Sequence, residues 1–129
     1  MSRFVKLNMN PKHIDDEDCT IRAICLLLNK DWDQVYLEVC AEGFNMKRMP
    51  FTDKVWSSYL IKEGCVRYRL PDTCPMCYTV FDFAMEHPKG QYLVKVDSHV
   101  VAVVDGYYYD TWDSGDETAL YYWRKENEK

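Results

Sequence analysis

Apolar positions keep a helical spacing through the first two-thirds of the chain and then switch to alternation. Ile21, Ile24, Cys25 and Leu28 fall at i, i+3, i+4 and i+7, on one face of a helix. Ala23, Leu26 and Leu27 make the other sides apolar too, which predicts a buried central helix. Its natural N-cap is Asp18, or Asp16 if the boundary slips. A second helix is expected from Asp31, with Gln34 three residues on in a capping-box arrangement. Trp32, Val35, Tyr36 and Val39 form its stripe, and Gly43 its stop. A third starts near Thr52, carries Val55, Trp56, Tyr59 and Leu60, and ends at Gly64. Residues 65–78, with Pro71, Pro75 and three cysteines, read as irregular. Thr79 with Asp82 caps a short helix through Phe81 and Ala84, which His87-Pro88 and Gly90 stop.

From Gln91 the period becomes that of a strand. Residues 92–97, 99–104 and 107–112 are expected strands, and Asp105-Gly106 between the last two is a strong two-residue hairpin turn. Residues 121–123 add a final strand, and residues 3–9 a short one before Asn10-Pro11. Helices first and then an antiparallel sheet give an α+β class. The length of 129 residues fits one domain over residues 1–129.

Composition narrows the function. With 47% hydrophobic and 15% aromatic residues, a chain of this size buries about two-thirds of its unfolded surface. Disorder is excluded. No run approaches a membrane span, and the N-terminal residues lack a signal-type apolar core, so a cytoplasmic protein without a membrane partner is expected. A net charge of −5 repels phosphate backbones and argues against nucleic acid. In a reducing compartment the six cysteines are free thiols.

The hairpin register carries the most information. With Val104 opposite Tyr107, Val101 faces Asp110 and His99 faces Trp112, so these four side chains share one side of the sheet. His99 and Asp110 are then diagonal neighbours about 7–8 Å apart at the backbone, within reach of each other's side chains. Asp110 can accept the ring Nδ1–H, set the tautomer and stabilise the imidazolium, while Trp112 shields that bond from water. Cys19 follows Asp18 at the head of the buried helix. There, unpaired amides and the helix dipole lower a thiol's pKa and can hold an oxyanion. Cys19, His99 and Asp110 thus supply nucleophile, base and orienter.

This order and layout resemble the papain-like cysteine peptidases. In that superfamily the nucleophile opens a central helix, and the histidine and its partner come from adjacent strands packed against it. The segment Asp16-Glu17-Asp18-Cys19-Thr20-Ile21-Arg22-Ala23-Ile24 resembles the nucleophile motif of ovarian-tumour-type deubiquitinases, with an aspartate three residues before the cysteine and an Arg-Ala pair after it. That motif has Gly-Asn where this chain has Glu17-Asp18. His99 and Asp110 look more like the bacterial leader-peptidase branch. The combination is similar to small papain-fold proteins of phages and Gram-positive bacteria. Many of these relatives carry a glutamine six residues before the nucleophile as an oxyanion donor. Here that position is His13, and Asn10 and Asn8 are further candidates. An ionised Asp16 or Asp18 would oppose that oxyanion unless it points away.

The expectation is a thiol hydrolase that acts on an amide, isopeptide or thioester of a protein or peptide, or transfers the acyl group to an amine. No metal or organic cofactor is implied. The rival is a binding protein on the same fold, for example a phage protein engaging a host factor. A third reading is a zinc-stapled module. Cys74 and Cys77 have Cys-x-x-Cys spacing, with Cys65 before and His87 after, although a lone pair of this kind is a weak signal. Met46-Lys47-Arg48-Met49 beside Phe51 is a basic, methionine-rich loop suited to a partner contact.

Overall fold

Helix starts follow the cap chemistry of the sequence. The computed structural model describes residues 2–71, 73 and 75–126. Its helices are α1 (Cys19–Leu28), α2 (Trp32–Met46), α3 (Asp53–Lys62) and α4 (Val80–Glu86). Asp31 accepts from the Gln34 amide at 2.8 Å at the head of α2, while the Gln34 side chain turns to Glu38 and leaves the box open. Thr79 and Asp82 close theirs reciprocally at α4, at 3.0 and 3.1 Å. The expected stop at Gly43 is incorrect, because α2 continues to Met46 and Lys47 takes the left-handed C-cap. Gly43 is small for a different reason: a Cβ there would lie 2.8 Å from the Arg48 carbonyl oxygen.

The strands are β1 (Phe4–Lys6), β2 (Cys65–Arg69), β3 (Gln91–Val96), β4 (His99–Val104), β5 (Tyr107–Asp110) and β6 (Tyr121–Lys125). They form one six-stranded sheet in the order β1-β5-β4-β3-β6-β2. The sheet is mixed and not purely antiparallel, because β1 runs parallel to β5. Four helices and three strands separate those two, ample length for the crossover a parallel pair needs. Residues 65–69, expected to be irregular, pair antiparallel with β6. Cys65 is the one buried residue of β2, so this edge strand lacks the apolar alternation that marks a strand.

Asp105 and Gly106 both take positive φ, 50° and 86°, as a two-residue hairpin turn requires. The register is the expected one, with Val104 opposite Tyr107 and Ala102 opposite Tyr109. Alternation then splits the core. Val100 and Ala102 pack with Ile24, Leu27 and Trp56 on the side of α1–α3. Val101 and Val103 pack with Val80 and Phe83 of α4 on the other. Ile24, Leu60 and Phe83 are wholly buried, each contributing about 1.5–3 kcal/mol. Lys30, just beyond α1, joins Glu38 and Glu63 at 2.8 Å each and ties three helices together. Among the described residues no helix is long and apolar enough to cross a membrane.

Candidate active site

Cys19 is the first residue of α1, so its amide belongs to the turn that has no intrahelical partner. Asp18 occupies the N-cap position but does not cap with its side chain. Its carboxylate accepts instead from Arg22 Nε at 2.9 Å, Trp32 Nε1 at 2.8 Å and Asn10 Nδ2 at 3.2 Å. The first-turn amides are thereby left free of a competing carboxylate, and the Asp18 charge faces Arg22.

His99 opens β4 and Asp110 closes β5, so both lie at the end of the sheet. His99 Nε2 stands 2.6 Å from Asp110 Oδ2. The sequence reading put Nδ1 there, and the structure corrects it. The distal ring nitrogen spans the diagonal to Asp110, and the Cys19 thiol lies close enough to the imidazole for each to shift the other's titration. Asp110 is only 2% exposed, and both its oxygens are occupied. Oδ2 also accepts from Ser114 Oγ at 2.8 Å, and Oδ1 from the Thr111 amide at 2.8 Å and Arg22 Nη1 at 3.3 Å. A buried carboxylate without such donors would protonate rather than stay charged.

The electrostatics follow from these contacts. Burial pushes the Cys19 thiol up, but the His99 hydrogen bond, the Val100 amide and the charges of His99 and Arg22 outweigh it and hold the thiol below its ordinary value. Burial alone would lower His99. The Asp110 hydrogen bond, the Cys19 contact and both charges raise it to about 9. Asp110 is pushed up by burial yet held below the usual carboxylate value by His99, Ser114 and the Thr111 amide. Each group thus shifts the other towards its charged form. Two other thiols behave in the opposite way: burial, with nearby carboxylates, pushes Cys25 up to about 12, and burial pushes Cys65 up to about 11.

Trp112 lies past the end of β5, because the strand expected to run to it stops at Asp110. Its ring nevertheless sits 5.0 Å from that of His99, and it is 46% exposed, so it covers one side of the imidazole while meeting solvent itself. Cys19, His99 and Trp112 line a cleft of about 1120 Å³ between the α1–α3 side and the end of the sheet.

None of the three side-chain oxyanion candidates lines this cleft, and Asn8 gives its amide to the Ile14 carbonyl. His13 is exposed and away from its lining. Asn10 is buried, with its amide given to Asp18 and its carbonyl oxygen accepting from the Lys12 amide. The proposed zinc ligands do not converge either. Cys65 lies in the core on the α1–α3 side, whereas His87 stacks on Phe83 in the core on the other. Cys77 is exposed, and Cys74 lies outside the described residues.

Sequence reasoning missed Arg22 and Ser114. Arg22 carried a usable signal, since it lies four residues after Asp18 at ion-pair spacing on a helix. Ser114 carried none, because a bend places it against Asp110. The chain matches no family model, no curated protein and no solved structure.

Proposed function

We propose that the protein is a thiol acyl hydrolase with a papain-like arrangement, acting on an amide, isopeptide or thioester of a polypeptide. The observation that carries this reading is a partly buried imidazole that bonds Asp110 through Nε2 at 2.6 Å and has the Cys19 thiol beside it at the head of α1. A structural His–Asp pair has no need of a thiol at the head of a helix. One further feature supports the resemblance. Glu17 takes φ 56°, the left-handed conformation that favours glycine, at the position where the deubiquitinase motif has glycine.

The chemistry follows from the pair. The Cys19 thiolate attacks the carbonyl carbon, and the Cys19 amide, with the α1 dipole behind it, holds the oxyanion. As the intermediate collapses, the carbon–nitrogen bond breaks and the His99 imidazolium gives its proton to the departing amine. The thioester so formed is attacked by water, whose proton returns to the now neutral His99. The acid is released and the thiol restored. Asp110 holds the ring throughout.

The rival reading, a binding protein on the same scaffold, is favoured by one observation: neither His13 nor Asn10 offers the cleft a donor. Residue-resolved alkylation against pH in the wild type and His99→Ala, followed by mass analysis after incubation with a peptide thioester, separates them. A hydrolase shows a Cys19 thiolate below the free-thiol value of about 8.5, loses it in His99→Ala, and accumulates an acyl adduct on Cys19. A thiolate that never acylates favours the binding protein. An ordinary thiol in both variants sinks the triad.

A further inference from the structure

We propose that the cleft accepts a cationic polypeptide segment, with a large apolar side chain against its aromatic wall and lysine or arginine beside it. This rests on reading Cys19, His99 and Asp110 as the reacting centre.

The apolar wall is exposed and held in place. Met49 is 60%, Phe51 73% and Tyr36 46% exposed, and all three line the cleft. Tyr36 stacks on Trp32 at 5.0 Å and 10°, and Trp32 is fixed in turn by its bond to Asp18. The ring that meets solvent is thus preorganised, which lowers the cost of ordering it on binding. On the far side Trp112 covers His99. At about 1120 Å³ the cleft exceeds the 300–1,000 Å³ of small-molecule sites, room for several residues of chain.

Charge decides which chain. The lining carries six carboxylates, on Asp15, Asp16, Glu17, Asp18, Asp53 and Asp97, against Arg22, Lys95 and the His99 imidazolium, the last of which faces Asp110. Asp18 and Arg22 pair with each other. Lys95 turns its ammonium to the Val96 carbonyl at 2.6 Å, and Asp53 accepts from Trp56. Asp15, Asp16, Glu17 and Asp97 form no ion pair among the described residues and are exposed. A walled cleft with one sign of charge concentrates ligands of the other. An anionic ligand is repelled. An uncharged one leaves the carboxylates facing an oxyanion that forms beside them, whereas a lysine or arginine of the substrate offsets both charges.

Binding is measured without turnover, using Cys19→Ala and fluorescent peptides that share one tyrosine and differ only in flanking lysines, glutamines or glutamates. The lysine peptide is expected to bind about 10-fold or more tightly than the glutamine peptide, with an advantage that fades with salt. It should also fade in Asp15→Asn/Asp16→Asn/Glu17→Gln. Replacing the tyrosine by serine should weaken the lysine peptide as well. Equal binding of all three peptides, a preference for glutamate, or no binding of the lysine peptide overturns the proposal. Acylation of wild-type Cys19 by a small uncharged thioester is followed in parallel. Failure there counts against the hydrolase reading, and failure of the peptide series alone counts against the cationic segment.

Discussion

Arg22 Nη1 donates to Asp110 Oδ1 at 3.3 Å across 88 positions of sequence, while its Nε bonds Asp18 at 2.9 Å. One buried guanidinium thus fastens the residue before Cys19 to the carboxylate that holds His99. Both carboxylates are less than a tenth exposed, so removing the cation strands two buried charges. Arg22→Met should cost about 3–5 kcal/mol in urea unfolding, and Arg22→Lys less, since it keeps the charge and loses the fork. A loss below about 1 kcal/mol in Arg22→Met would show that the bridge adds nothing in solution.

The raised His99 value makes a signed prediction. Its folded pKa of about 9 lies above the ordinary 6.5. Its stabilising contribution is therefore fully present below about 6.5 and is lost as pH rises through about 9. In Asp110→Asn the largest cause of the rise is gone, so His99 should titrate well below 9 and that stretch of the stability curve should flatten. Acyl transfer should fall by about 10²–10⁴-fold. Proton NMR titration of the His99 ring and denaturant melts at several pH values check both. An unchanged titration in the variant would remove Asp110 from its assigned role.

Glu17 in the left-handed region predicts an unusual sign for a glycine substitution. Glu17→Gly should leave stability unchanged or raise it by up to about 1 kcal/mol, because strain at φ 56° is relieved against added chain freedom. Glu17→Val should destabilise, since a β-branched side chain tolerates that conformation least. Thermal melts of the two variants suffice, and a less stable glycine variant would refute the account.

Trp112 tests whether shielding matters. Trp112→Ala relieves some of the burial that lowers His99, but it also lets water screen the Asp110 bond and removes the ring 5.0 Å away. The last two effects should outweigh the first and move the His99 titration down, while Trp112→Phe keeps most of the wild-type value. An alanine variant that titrates like the wild type would reduce Trp112 to a cleft wall.

Away from the site, Lys30 holds Glu38 and Glu63, and Glu38 is held at about 2 by the Lys30 and Tyr59 hydrogen bonds. A depressed carboxylate contributes above its ordinary value of 4.5 and loses that contribution as pH falls towards 2. Lys30→Gln should therefore be less stable at neutral pH and show a shallower acid limb. An unchanged limb would mean the cluster is screened by solvent.

Local chemistry explains what could be read in advance. The spacing of Ile21, Ile24, Cys25 and Leu28 depends only on helical period, and α1 forms there. The hairpin register depends only on Asp105-Gly106, two residues able to take positive φ. Those two short-range facts were enough to put Cys19 at a helix head and His99 near Asp110. The strand at residues 65–69 was hidden because an edge strand with one buried residue has no alternation to detect. The parallel pairing of β1 was hidden because it joins residues about a hundred positions apart.

The sequence by itself determined that Cys19 heads a helix and that His99 and Asp110 meet on neighbouring strands, since helix period, cap and turn act within a few residues of one another. Tertiary structure decided how those residues are wired. Strand alternation says that His99 and Asp110 share a side, but only the packed structure chose Nε2 for Asp110. Packing also brought Arg22 and Ser114 to the carboxylate, turned Asp18 away from the helix head, and left His13 outside the cleft. These outcomes depend on where separate elements meet, and no local pattern encodes that.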